Sequence, residues 1–120
     1  MANILVVDDE PIMRASIQRV LESKGHSISV AENGAIGVDM AKSGKPDLIV
    51  MDLNMPVMDG FGATRGIRNE PTNAGVKILV LTAENATANY ESIYEAGADA
   101  YLSKPVNYEH LVTRINELLS

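Results

Sequence analysis

The sequence predicts an α/β fold on a five-stranded parallel sheet, and three observations carry that prediction. Five short apolar runs alternate with longer segments of helical periodicity, the pattern of a sheet wrapped by helices. The runs are near-continuous, as strands covered on both faces read. Gly25, Gly44 and Gly97 fall where left-handed C-terminal helix caps are expected.

The first run is Ile4 to Val7. Pro11 then suits the first turn of a helix whose apolar stripe is Met13, Ile17, Val20 and Leu21. His26 follows Gly25 in a connection and is expected to be solvated. The second run, Ile28 to Ala31, is interrupted by serines at 27 and 29 and belongs at the sheet edge. The third is Leu48 to Met51, behind a helix that contains Gly37 and ends near Gly44. A helix after Gly60 is weakened by Gly62 and Gly66, which lower its propensity by about 1 kcal/mol each relative to Ala. Asn69 to Gly75 reads as a plain loop. Ile78 to Leu81 and Ala100 to Leu102 are the last two runs, separated by a helix ending near Gly97. Leu111, Val112, Ile115, Leu118 and Leu119 repeat at helical spacing behind a candidate N-cap, Asn107. His110, in the first turn of that helix, is expected at the surface.

Composition narrows the function. The length of 120 residues suits one domain, and 46 % hydrophobic content suffices for one core. A net charge of -6 argues against non-specific binding to nucleic acid or anionic lipid. The absence of cysteine removes disulfides, thiolate metal sites and cysteine nucleophiles together. No secretory signal or membrane-spanning run is present, so no membrane insertion and a cytoplasmic location are expected.

Open α/β sheets place ligand sites beyond the carboxyl ends of their strands. Asp8, Asp9 and Glu10 follow the first strand, and Asp52 ends the third ahead of Leu53-Asn54-Met55-Pro56 and Asp59-Gly60. Thr82-Ala83-Glu84 follows the fourth, and Ser103-Lys104-Pro105 the fifth. With strand order 2-1-3-4-5, Asp8, Asp9, Asp52, Thr82 and Lys104 would gather in one cleft. Three carboxylates at close range repel unless a cation sits among them. Mg²⁺ suits such a site, because it prefers hard oxygen ligands. A carboxylate beside Mg²⁺ and Lys can act as a nucleophile toward phosphorus, where positioning and charge neutralisation do most of the catalysis. Singly, these residues read otherwise: an Asp or Thr as a helix cap, Lys104 as a solvated charge. Asp59-Gly60 reads as a turn entering a helix, and Met51, Met55 and Met58 as packing. Tyr90, Tyr94 and Tyr101 could all be core, with Tyr101 at a strand end the functional candidate.

The Asp8-Asp9 pair, Met51-Asp52-Leu53-Asn54-Met55-Pro56 with Asp59-Gly60, Thr82-Ala83 and Lys104-Pro105 resemble the motifs of response-regulator receiver domains. The similarity covers essentially the whole chain, 1–120, as one receiver domain of the CheY-like (βα)5 type within the flavodoxin-like architecture, strand order 2-1-3-4-5. It implies Asp52 as phosphoacceptor. It implies Mg²⁺, with Mn²⁺ as an alternative, held by Asp9, Asp52 and the backbone carbonyl of Asn54, with Asp8 acting partly through water. Thr82, the Ala83 N–H and Lys104 would bind the phosphoryl oxygens. Thr82 and Tyr101 would form the switch, Lys104-Pro105 a cis peptide, and Asn54 with Glu84 a polar pair that shortens the phosphoryl lifetime.

The function so implied is a phosphorylation-dependent switch of a two-component or phosphorelay system. A sensor histidine kinase or histidine phosphotransfer protein would supply the phosphoryl group. A downstream protein would read the face made by the fourth helix, fifth strand and fifth helix, with the chain a monomer or a phosphorylation-dependent dimer. Turnover is not expected beyond Mg²⁺-dependent self-phosphorylation from small donors and self-dephosphorylation. A stand-alone regulator is favoured over an excised receiver, because the chain begins at a natural-looking Met-Ala. Two rivals fare worse. Phosphatases of the dehalogenase type place Asp-x-Asp after their first strand, where this chain has adjacent aspartates. A flavodoxin-like cofactor binder would need a phosphate loop where Asp8 and Asp9 would repel phosphate.

Overall fold

The computed structural model describes residues 2–53, 60–73, 75–82 and 90–120, the side chain of Tyr90 excepted. The five apolar runs form strands β1 (Asn3–Val7), β2 (Ser27–Ala31), β3 (Leu48–Asp52), β4 (Lys77–Thr82) and β5 (Ala100–Ser103). Each extends at most one residue beyond its apolar run, into the polar residues that flank it. All pairings are parallel and the order is β2-β1-β3-β4-β5, with the serine-interrupted β2 at an edge. The helices are α1 (Pro11–Ser23), α2 (Gly34–Gly44), α3 (Gly60–Asn69), α4 (Tyr90–Ala96) and α5 (Tyr108–Leu119).

Successive strand residues point to opposite faces, and the two faces bury separate cores. Leu5, Val7, Ile49, Met51, Ile78 and Val80 meet Ala41 of α2, Ile67 of α3 and Ile93 of α4. Ile4, Val6, Leu48, Val50, Leu79 and Leu81 meet Ile17 and Leu21 of α1 and Leu111 and Ile115 of α5. The register fixes what happens at the carboxyl ends. Val7 lies opposite Met51, so Asp8 and Asp52 leave their strands level with each other. Thr82 pairs with Ser103, which brings Lys104 beside β4. Among the described residues, no helix is long and apolar enough to cross a membrane.

Caps agree with the sequence in part. The Asn107 side chain accepts the His110 N–H at 3.1 Å, and His110 is exposed. Gly25 and Gly97 take positive φ, +90° and +114°. Gly44 does not. It is the last residue of α2, and Lys45 takes the left-handed conformation instead (φ 46°), its N–H donating to Ala41 O at 3.1 Å. A side chain with Cβ is strained there, so Lys45→Gly should stabilise the chain by about 0.5–1 kcal/mol. A rise in the urea midpoint would register it; a fall would show that Lys45 contributes something its backbone conceals.

Three further differences have physical causes. His26 is not simply solvated: its Nδ1 accepts the Ala2 N–H at 3.1 Å, which ties the starts of β1 and β2. The segment after α3 is not a plain loop, since Pro71–Asn73 form a 3₁₀ turn. Arg68 holds that region, donating to Val76 O (2.6 Å), Gly97 O (2.7 Å) and Asp99 Oδ2 (2.6 Å), while Asp99 Oδ2 also accepts Ile78 N–H (2.8 Å). Tyr94 is half exposed rather than core, and its ring meets Tyr101 edge-to-face with centroids 6.0 Å apart.

Candidate functional site

Asp8 extends β1 by one more bond, donating its N–H to Ala31 O at 3.1 Å. Its Oδ1 accepts the Glu10 N–H at 2.9 Å, which closes the turn into α1. Its Oδ2 is buried and has no hydrogen-bond partner among the described residues. Asp52 ends β3 and is 2 % exposed, while Asp9 is exposed. One carboxylate oxygen from each of Asp8, Asp9 and Asp52 lies within 4.8 Å of the others. Lys104 reaches across from the end of β5, its Nζ 2.8 Å from Asp52 Oδ1. Thr82 is fully buried at the end of β4, and its Oγ1 has no hydrogen-bond partner among the described residues.

Burial of the Asp8 carboxyl, with the charges of Asp52 and Asp9 nearby, pushes its pKa up to about 6, against the opposing pull of the Glu10 N–H and Lys104. Burial alone would lower the Lys104 ammonium. Its hydrogen bond to Asp52 and the charges of Asp52, Asp8 and Glu10 outweigh that and hold it above the ordinary lysine value. Three carboxylates and one ammonium leave excess negative charge in a small, partly dry volume. A buried carboxylate oxygen without a donor is costly unless something positive faces it. The donor set is all hard oxygen, which suits a small divalent cation.

The structure therefore brings together Asp8, Asp9, Asp52 and Lys104, with Thr82 at the end of the adjacent strand β4. The Lys104–Pro105 bond is cis. Tyr101 is half-buried at the start of β5 and packs against the core that holds Met51 and Ile93. Asn54, Met55, Pro56, Met58, Asp59, Ala83 and Glu84 lie outside the described residues. Gly60 received only a turn-forming role from the sequence, yet it is seated directly on the end of β3: its N–H donates to Leu53 O at 2.8 Å. A Cβ there would lie 2.6 Å from Asp52 O. No sequence pattern distinguishes that contact from an ordinary helix start.

Comparison with known proteins agrees with this arrangement. The chain is 37 % identical to the protein PilH of Pseudomonas aeruginosa, over 100 % of this chain and 99 % of PilH. It spans about half the length of other curated relatives: the response regulator MprA of Mycobacterium avium and that of Mycobacterium tuberculosis are each 40 % identical over 116 residues, 97 % of this chain and 50 % of theirs. Among solved structures, the chemotaxis protein CheY4 of Vibrio cholerae superposes with a TM-score of 0.93 at 31 % identity, covering 99 % of both chains. The receiver domain of the sensor histidine kinase PA1611 from Pseudomonas aeruginosa, solved with a magnesium ion in its active-site cleft, gives 0.90 at 32 % identity, covering 98 % of this chain and 97 % of that one. The profile of the response regulator receiver domain matches residues 4–116, and the chain belongs to that family.

Proposed function

We propose that residues 1–120 form one receiver domain whose Asp52 accepts a phosphoryl group from a sensor histidine kinase or a histidine phosphotransfer protein. The observation that carries this reading is the 2.8 Å contact between Lys104 Nζ and Asp52 Oδ1 beside the Asp8–Asp9 pair. It sets a carboxylate nucleophile between a fixed cation and a pocket for a mobile one.

An Asp52 carboxylate oxygen attacks phosphorus, the bond from phosphorus to the donor imidazole nitrogen breaks, and its electron pair stays with that nitrogen. Lys104 turns from the Asp52 carboxylate toward the phosphoryl oxygens and neutralises charge as it develops. Asp8, Asp9, Asp52 and the Asn54 carbonyl would hold Mg²⁺, or Mn²⁺ in its place, and when bound that ion supplies further neutralisation of the phosphoryl oxygens. The magnesium ion reported for the PA1611 receiver supports this choice. Thr82, whose buried Oγ1 lacks a partner among the described residues, donates to the new phosphoryl group, joined by the Ala83 N–H. Tyr101 then moves inward, changing the surface of α4, β5 and α5 that a downstream protein reads. Asn54 and Glu84 admit the water that hydrolyses the acyl phosphate, so the modified state is short-lived. A stand-alone regulator in the cytoplasm is part of this proposal, and the similarity to PilH, matched over 99 % of its own length, supports its stand-alone form.

Intact-mass spectrometry after incubation with acetyl phosphate tests the reading. The wild-type chain should gain one phosphoryl group only when Mg²⁺ is present, and Asp52→Asn should gain none. Equal uptake by Asp52→Asn would refute it.

A further inference from the structure

A side chain outside the acidic cluster is hydrogen-bonded to its backbone. Successive residues of a strand point to opposite faces, yet the adjacent Asp8 and Asp9 both bring a carboxylate oxygen within 4.8 Å of one another and of Asp52. The peptide unit between them must therefore leave strand geometry and be held out of it. Three bonds surround that turn. The Asp8 N–H is fixed by Ala31 O at 3.1 Å, and Asp8 Oδ1 by the Glu10 N–H at 2.9 Å. The carbonyl of Asp8, which belongs to the 8–9 peptide itself, accepts Nη1 of Arg14 at 2.9 Å. Arg14 stands one turn into α1, partly buried, above a shallow hollow shared with Val30, Ala31, Glu32 and Ile36.

The geometry points to Arg14 as the positioning residue of the cation site: its guanidinium holds the Asp8–Asp9 peptide so that the two carboxylates converge on one divalent ion. This rests on the cation reading given above. Without that bond the 8–9 peptide can rotate toward extended geometry, which swings Asp9 away from Asp52. The Asp8 carboxylate would stay where Glu10 fixes it. The consequence is a loss of cation affinity with little change to the rest of the fold.

The sign of the effect separates this role from plain electrostatics. Arg14 is a positive charge beside a site for a positive ion, so removing it should tighten Mg²⁺ binding if charge alone matters. A positioning role predicts the reverse. Partners that orient metal ligands typically contribute 10–100-fold in affinity, so Arg14→Met, which keeps the apolar stem, should bind Mg²⁺ about tenfold more weakly.

The test is Mg²⁺ titration by isothermal calorimetry of the wild-type chain, Arg14→Met and Arg14→Lys, with thermal unfolding in EDTA run alongside. Arg14→Met should lose affinity while keeping most of its cation-free stability. Arg14→Lys, which retains charge and one donor but not the planar fork, should fall between the other two. Arg14→Met binding Mg²⁺ as tightly as wild type, or more tightly, overturns the proposal and leaves the cation reading intact. Should Arg14→Met not fold without cation, Arg14→Lys decides, and wild-type affinity in it overturns the proposal. A wild-type chain that binds no Mg²⁺ would overturn the cation reading itself, and the role of Arg14 with it.

Discussion

Asp8→Asn should make the cation-free protein more stable near neutral pH while removing most of its stabilisation by Mg²⁺. The Asp8 side chain is 1 % exposed, and its burial beside Asp52 and Asp9 pushes its pKa up to about 6 from 3.8. The folded state thus holds the proton more tightly than the unfolded chain does. The stability this proton contributes is fully present below pH 3.8 and lost as the pH rises through about 6. Above that, a buried charge faces two others. Asparagine keeps the oxygen that accepts the Glu10 N–H at 2.9 Å and removes the charge. With some of the shift relaxed by solvent, the gain should be about 1–3 kcal/mol. Urea unfolding in EDTA across that pH range checks it, and the gap between variant and wild type should close as the pH falls. Added Mg²⁺ should stabilise the wild type by mass action and the variant much less. A variant no more stable than wild type near neutral pH would mean that the cluster is not strained by its own charge.

The second large effect lies at Gly60→Ala. An added Cβ would stand 2.5 Å from Leu53 Cα and 2.6 Å from Asp52 O. Both are backbone atoms of the strand end that carries Asp52, so no rotamer change relieves the contact. Either α3 lifts off β3 or the end of β3 moves, at a cost of about 1–3 kcal/mol or more. Phosphoryl uptake from acetyl phosphate should slow as well, since Asp52 shifts relative to Lys104. Gly66→Ala in the same helix is the control. Among the described residues its Cβ would meet only the two Val38 methyls, Cγ2 at 3.4 Å and Cγ1 at 3.7 Å, and the gain in helix propensity of about 1 kcal/mol should leave the chain at least as stable as wild type. Equal unfolding midpoints for the two variants would contradict the close approach of α3 to the site.

That pair of glycines also shows where the sequence stops being informative. The apolar runs located every strand to within a residue, because strands buried on both faces need uninterrupted aliphatic side chains. Asp8, Asp9, Asp52, Thr82 and Lys104 were legible because each is the first or second residue beyond such a run. Gly62 and Gly66 instead read as weakness, when tertiary packing over Ala63 and Ile67 holds the helix, and Gly60 read only as a turn, when it seats α3 against the end of β3. Long-range partners left no local trace. Nothing near Arg68 in the sequence announces Gly97, Asp99 or Val76, nor does His26 announce Ala2. Arg14 offered a faint signal, a cationic residue one turn into the helix that follows an acid pair, but only the coordinates show which carbonyl it holds. Lys45 takes the left-handed position expected of Gly44, because α2 runs through Gly44 before it ends.

Borohydride reduction of the chain treated with acetyl phosphate and Mg²⁺, followed by peptide mapping, tests the central claim most directly. Reduction converts an aspartyl phosphate into homoserine, so the modified residue is read from the fragment masses. Homoserine at position 52 and at no other aspartate is the expected result. Homoserine at position 8 or 9, or none at all despite phosphoryl uptake, would contradict Asp52 as the acceptor.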